Sequence, residues 1–290
     1  MAYADWEDFT FDGIGTRWII STPRPIDASL RARLLATVER YDADWSRFRD
    51  DSIVSAMSRR PGRFELPDEA AALGDLYRTL YRITDGAMTP LIGASLERLG
   101  YDAEYSLRPA GAALPAPHWE GLLEWEGTVL TTAAPLILDI GAAGKGQLVD
   151  LLAAELKDGG VGTFAVDASG DLLNSGPEPL TVALEHPYDQ AKAIGTVLLA
   201  GGALCASASN RRAWGDGLHH VLDGTTGSPV RTAVATWAMA ESTVLADALA
   251  TALFFAPGAE LERTFDFSWL TVFSDGSAAY SAGFEGTLFT

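Results

Sequence analysis

The chain has 290 residues, and 21 Lys+Arg against 39 Asp+Glu leave a formal charge of −18. That balance argues against nucleic acid and anionic membrane surfaces as partners, because both are held through basic residues. A 48% hydrophobic content is enough for a sizeable core, and the single Cys205 excludes an intrachain disulfide or a cysteine-based zinc cluster.

The first residues, MAYADWEDFTFD, lack the basic segment that precedes the apolar run of a secretory signal, so a cytoplasmic setting is expected. Residues 8–21 read as a strand pair ending at Pro23 and Pro25. Leu30, Leu34, Val38 and Tyr41 then recur at helical spacing behind Asp27, a suitable N-cap. A second amphipathic helix follows Pro67, with Leu73, Leu76, Leu80 and Ile83 on one stripe. Residues 102–118, rich in Ala and Pro, read as a surface connection, and alternation returns over 122–132.

Next, LILDI (136–140) reads as a strand leading through GAAGKG into a helix that ends at Gly159-Gly160. FAVDASGDLL and LTVALEHP are strand-like, and the apolar runs on either side of Gly201-Gly202 predict strand, turn, strand. A strong helix is expected over about 242–255, followed by a hairpin with an Asp275-Gly276 turn. The pattern is α+β, with mixed, largely antiparallel sheets and packed helices, and the length allows one large domain or two small ones.

Three stretches have the residue types for chemistry. In Asp139-Ile-Gly-Ala-Ala-Gly-Lys145-Gly146 the glycines allow close backbone approach, a helix start offers N–H groups to an anion, and Lys145 adds a point charge. The same letters also fit a tight strand-to-helix turn with an exposed lysine; Ser or Thr does not follow the lysine, so this is not a P-loop. Asp247 and Thr251 lie one helical turn apart and offer hard oxygens to Mg²⁺ or Ca²⁺, or else occupy a solvated stripe. His219-His220 precede the turn-rich Asp223-Gly-Thr-Thr-Gly227-Ser-Pro229. On a strand only one of them can enter a given pocket, and either can be a structural histidine. Asp171, after Ser169-Gly170, fits a turn or a pocket acid equally well.

Taken together these stretches resemble the FAD:protein FMN transferases, the ApbE family. LDIGAAGKGQLVD (138–150), VDASGDL (166–172), HHVLDGTTGSPV (219–230) and ADALATALF (246–254) carry the likeness. GIGT (13–16), WSRFRDDSIVSAMS (45–58) and DGAMTPLIG (85–93) are weaker echoes. The resemblance implies a single α+β unit that binds FAD and uses Mg²⁺ to move FMN onto a threonine hydroxyl of an acceptor protein, releasing AMP. It implies Asp247, Thr251 and the Ala142 carbonyl as metal ligands, and Asp139 and Lys145 against the FAD. His220 would contact FAD or take the threonine proton, while Ile14, Phe48, Ala87, Met88 and Thr89 would line the flavin and adenosine ends. Met88-Thr89 stands where the family has Phe-Asp, and Gly224 where it has Pro. An FAD pyrophosphatase with water as nucleophile, and a non-catalytic flavin-binding protein, are the alternative readings.

FAD is an anion, so the acidic chain would repel it at long range. Residues 139–171 hold two lysines against six acidic residues. Attraction is therefore expected to be local, through Lys145, a helix start and a divalent cation.

Overall fold

A computed structural model describes residues 5–289. Strands β1 (Glu7–Gly13) and β2 (Thr16–Thr22) pair antiparallel around an Ile14-Gly15 turn, in which both residues have positive φ, 42° and 75°. Helix α1 (Ala28–Trp45) starts where Asp27 accepts the Leu30 N–H at 2.8 Å, and it buries Leu30, Leu34, Val38 and Tyr41. Helix α2 (Ile53–Arg59) is capped in the same way by Ser52. Strand β3 (Gly62–Glu65) and helix α3 (Ala70–Ile83) follow, and Gly74 of α3 lies against the Trp125 ring. A 3-10 turn, Pro90–Ile92, leads into α4 (Gly93–Arg98). Residues 102–118 form no helix or strand, as their composition predicts. Strands β4 (Leu123–Glu126) and β5 (Val129–Thr132) join β3 in a small antiparallel sheet.

Helix α5 (Gly144–Asp158) ends at Gly159-Gly160, with Gly160 at φ 80°. Strands β6 (Ala165–Asp167) and β7 (Asp171–Asn174) come next, then β8 (Leu180–His186), β9 (Asp189–Leu199) and β10 (Gly202–Ala208). Four short strands follow: β11 (Ala213–Trp214), β12 (Leu218–His219), β13 (Leu222–Asp223) and β14 (Ser228–Pro229). Strand β15 (Ala233–Ala240), helices α6 (Thr243–Ala252) and α7 (Gly258–Leu261), and strands β16 (Ser268–Phe273), β17 (Ala278–Tyr280) and β18 (Gly286–Leu288) complete the described chain.

The fold is α+β. Eight strands form one antiparallel sheet in the order β1-β2-β6-β7-β10-β15-β16-β17. Period-2 alternation gives its central strands two buried faces. Ala203, Cys205 and Ala238 face the helical core with Leu148, Ala246 and Leu249, whereas Leu204, Trp237 and Leu270 face Leu184, Val197 and Leu199 of the β8-β9-β18 sheet. The small side chains on the first face let α6 lie close to the sheet, and α6 carries Asp247 and Thr251.

Three expectations change in the structure. LILDI is not a strand: Asp139 N–H bonds to the Pro90 carbonyl at 2.8 Å and Leu136 N–H to that of Met57 at 3.2 Å, so irregular partners take its backbone groups. The runs flanking Gly201-Gly202 are strands, but they do not pair with each other. β9 belongs to the three-stranded sheet and β10 to the eight-stranded one, and the turn, with Gly202 at φ 72°, passes the chain between layers. The last strong helix also stops early, at Ala252.

Candidate functional site

The start of α5 meets the middle of α6. Gly146 N–H donates to Asp247 Oδ2 at 2.8 Å, and a Cβ at 146 would stand 2.3 Å from the Thr243 carbonyl oxygen. Gly144 N–H is taken by the Ile140 carbonyl at 2.8 Å, and a Cβ there would press on Ile140 and the Tyr41 hydroxyl. Both glycines thus serve close packing, and their N–H groups have protein partners. Asp150 ties the helices further. Its two oxygens accept the Thr243 and Val244 N–H groups at 3.0 and 2.9 Å, capping α6 from α5, where the N-cap residue Ser242 makes no side-chain cap. Burial pushes the Asp150 carboxyl up against the pull of those bonds.

Lys145 Nζ forms an ion pair with Asp171 Oδ2, and Asp171 is fully buried. Asp171 closes the Ser169-Gly170 turn, its carbonyl accepting the Ala168 N–H at 2.9 Å, while its side chain points into the interior. Burial alone would lower the Lys145 ammonium, but Asp171 and Asp247 outweigh it and raise it. Asp247 is buried, and desolvation, reinforced by the charge of Asp171 and only partly offset by Lys145, pushes its carboxyl well above the usual range. Two carboxyl groups share one lysine here, and a second cation would let both ionise. Thr251, one turn beyond Asp247, shares a hydrogen bond of 3.3 Å with Ser207 of β10.

Asp139 lies just ahead of the Gly141–Ala143 turn. Its Oδ2 accepts from Arg47 Nε at 2.6 Å and its Oδ1 from Gly141 N–H at 2.8 Å. Burial would raise its carboxyl, but Arg47 and the Gly141 bond leave it lowered. Both carboxylate oxygens therefore hold the Gly141–Ala143 turn to α1 in this structure. The Arg47 guanidinium is buried and lies 4.2 Å from the centre of the Phe48 ring. Phe48 in turn stacks on Tyr105, with centroids 5.1 Å apart and planes 10° from parallel, and meets Tyr101 edge-on at 5.6 Å. The Ile14-Gly15 turn approaches this aromatic group, since a Cβ at Gly15 would be 3.7 Å from the Tyr105 hydroxyl.

The two histidines have separate environments. His219 Nε2 pairs with the Val230 carbonyl at 2.8 Å, and its Nδ1 accepts the Val221 N–H at 3.3 Å, which makes it a structural residue. His220 has a buried Nδ1 with no hydrogen-bond partner among the described residues. Burial drives its pKa down to about 3, with Arg212 pushing the same way and Asp139 opposing. Arg212 lowers the proton affinity of Asp139 and Asp247 as well, and its guanidinium shares the Tyr101 ring with that of Arg47, at 6.0 and 5.1 Å.

Ala87, Met88 and Thr89 form a separate patch. Met88 and Thr89 are buried, Met88 N–H bonds to Thr84 Oγ1 at 3.0 Å, and Thr89 Oγ1 caps the 3-10 turn through Leu91 N–H at 3.2 Å. The Ala87 carbonyl accepts the Gly224 N–H at 2.8 Å. This bond brings the patch against the turn after His220, and gives Gly224 a role that proline cannot fill.

Sequence reasoning missed Arg47, Ser207, Asp150 and Arg212. A buried arginine has no pattern of its own. The Arg211-Arg212 pair just ahead of the histidines, in so acidic a chain, was the signal available for Arg212.

The geometry can be set beside known proteins. Residues 14–268 match the ApbE family. The chain is 28% identical over 266 residues to the FAD:protein FMN transferase of Rhodobacter capsulatus, covering 85% of this chain and 51% of that protein, so it spans about half of that relative's length. It is 24% identical over 242 residues to the FAD:protein FMN transferase of Vibrio cholerae, covering 78% of this chain and 72% of that one. Among solved structures, the ApbE protein of Thermotoga maritima superposes with a TM-score of 0.83 at 22% identity, over 97% of this chain and 99% of that chain. The flavin transferase ApbE of Vibrio cholerae gives 0.77 at 19% identity, over 96% and 97%. These structures share the fold described above, and with its match over residues 14–268 the chain belongs to the ApbE family.

Proposed function

We propose that this protein is an enzyme that transfers FMN from FAD to a threonine hydroxyl of an acceptor protein, with Mg²⁺ bound at Asp247, Thr251 and the Ala142 carbonyl. The observation that carries the reading is the pair of buried carboxyl groups, Asp247 and Asp171, with only Lys145 between them, in a chain whose relatives are FAD:protein FMN transferases. The donor set of carboxylate, hydroxyl and carbonyl is all hard oxygen and fits Mg²⁺. Bound there, the cation would neutralise charge on the phosphate oxygens of FAD. We also propose that residues 1–290 form one such domain. A core running from Trp18 through Leu148 to Trp269 supports this.

In the transfer, the threonine oxygen bonds to the FMN phosphorus, the bond from that phosphorus to the bridging oxygen breaks, and AMP leaves with that oxygen. The hydroxyl proton passes to His220, whose buried Nδ1 has no hydrogen-bond partner among the described residues and is open as an acceptor. Asp139, held by Arg47, fixes the turn that carries Ala142. Phe48 and Ile14 border the flavin end, and Ala87–Thr89 support the turn behind His220. Among the described residues no helix is long and apolar enough to cross a membrane.

Incubation with FAD, Mg²⁺ and a candidate acceptor tests this. AMP should appear in step with covalent FMN on a threonine, read by mass, and Asp247→Ala should abolish both. Equal AMP without any acceptor would establish a pyrophosphatase instead, and FAD binding with no AMP under any condition would establish a binding protein.

A further inference from the structure

Three cations act electrostatically on Asp139, Asp247 or His220, namely Arg47, Lys145 and Arg212. Arg47 is committed to Asp139 at 2.6 Å, with Glu97 3.7 Å away, and Lys145 to Asp171. Arg212 has no ion pair with a described residue, and even its neighbour Arg211 is held by Glu185 at 2.8 Å. What sets Arg212 apart is its place: its guanidinium and that of Arg47 lie over the same Tyr101 ring, at 6.0 and 5.1 Å, which puts it next to the Arg47–Asp139 pair.

Its geometry is nevertheless defined. Arg212 Nη1 donates to the Tyr101 hydroxyl at 3.0 Å, and the guanidinium carbon lies 6.0 Å from the Tyr101 ring centre. Tyr101 is buried and stacks on Trp214 at 5.7 Å, so the partner that aims the guanidinium is itself fixed. The rest of the planar fork has no hydrogen-bond partner among the described residues. A free fork of this kind matches a phosphate group, which accepts two parallel N–H bonds. The usual alternative, backbone N–H groups at the helix start, is weakened here, because Gly144 and Gly146 have given theirs to Ile140 and Asp247.

We infer that Arg212 binds the pyrophosphate of FAD and stabilises the charge that builds on it as the phosphorus–oxygen bond breaks, with Tyr101 as its positioning residue. This rests on the flavin-transferase reading and adds a residue to it. Charge is conserved without further reactants: the arginine stays protonated, and electron density passing to the leaving AMP is met by its N–H groups.

The test separates a charge contact from a structural one by comparing FAD with riboflavin, which has the flavin ring but no phosphate. In Arg212→Gln, FAD affinity measured by flavin fluorescence should fall at least tenfold, while riboflavin affinity changes less than twofold. The slope of log affinity for FAD against log salt should become shallower. Arg212→Lys should recover most of the affinity but less of kcat, because it restores the charge and not the fork, and Tyr101→Phe should lower kcat with a smaller effect on FAD binding. Parallel losses for FAD and riboflavin in Arg212→Gln, or no loss for either, would overturn the inference while leaving the transferase reading intact. A wild-type protein that binds neither flavin would remove both. Arg212 is exposed, so the variants should keep the wild-type melting temperature, and Arg212→Lys controls for folding should Arg212→Gln lose stability.

Discussion

The backbone N–H of Gly146 is bonded to the Asp247 carboxylate at 2.8 Å, and this contact exists only because residue 146 has no Cβ. An alanine methyl would stand 2.3 Å from the Thr243 carbonyl oxygen and 2.7 Å from Asp247 Cβ, both in α6. Gly146→Ala should therefore force α5 and α6 apart and cost about 1–3 kcal/mol. Denaturant melts should show this loss in the ligand-free protein. A variant that melts like wild type and fails only in FAD binding would mean that the glycine serves the ligand instead.

Removal of the cation should be felt in flavin binding. EDTA is expected to weaken FAD affinity by tenfold or more, about 1.4 kcal/mol. Asp247→Asn should weaken it comparably and abolish the sensitivity to EDTA. Titration of apo and Mg²⁺-loaded protein with FAD checks both, and metal-independent tight binding by the wild type would count against the assignment.

Asp171 is fully buried and Lys145 mostly so. Asp171→Asn leaves the ammonium without its partner and should cost about 3 kcal/mol, near the lower end of the range for broken buried pairs. Lys145→Met combined with Asp171→Leu should regain much of that stability while remaining inactive. Chemical denaturation of the three variants beside an AMP-release assay separates the two effects.

Gly224 occupies a position where the family usually has proline, and restoring proline should do harm. The Gly224 N–H donates to the Ala87 carbonyl, and a Cβ would lie 2.6 Å from the Gly86 carbonyl oxygen and 2.7 Å from Thr89 Cγ2. Gly224→Pro should destabilise by roughly 2–4 kcal/mol, from the lost hydrogen bond plus overpacking. Gly224→Ala should be milder, since it keeps the donor. Thermal melts of the two variants give the ordering.

Stability should decline on mild acidification. Burial lowers both His219 and His220 below the ordinary histidine value of 6.5, His220 to about 3. The unfolded chain then binds more protons than the folded one as pH drops below 6.5. This contribution is complete above that pH and is lost progressively on the way down, with a slope of up to about 1.4 kcal/mol per pH unit for each histidine. Urea melts between pH 7 and 5, a range above most carboxylate titrations, should show the slope, and His220→Gln should reduce it.

Much of the molecule was legible because single-letter periodicity maps onto buried faces. Asp27, the Leu30–Tyr41 stripe and the Asp275-Gly276 turn are local signals, and each sits in the element expected of it. LILDI misled because an apolar run needs a partner strand with a free edge, and Pro90 and Met57 supplied irregular bonds instead. The strands around Gly201-Gly202 were read correctly, whereas their separation into two layers depends on residues far away in sequence. In the site, the motif residues Asp139, Lys145, His220 and Asp247 were visible as letters. Of the residues that hold or surround them, Arg47, Ser207 and Arg212 come from other segments that no spacing rule links, and Asp150, though within 138–150, caps a helix far away in sequence. The glycines of GAAGKG show the limit most clearly, since a packing constraint and an anion cradle call for the same residue.

The double cap that Asp150 places on α6 has a mechanical corollary. Because α5 carries Lys145 and α6 carries Asp247, the two bonds to Thr243 and Val244 make cation and carboxylate parts of one rigid body. For the flavin transfer proposed above, motion that admits substrate is then expected outside this pair, in segments such as the surface connection that holds Tyr105 and the exposed turn after β10 that holds Arg212.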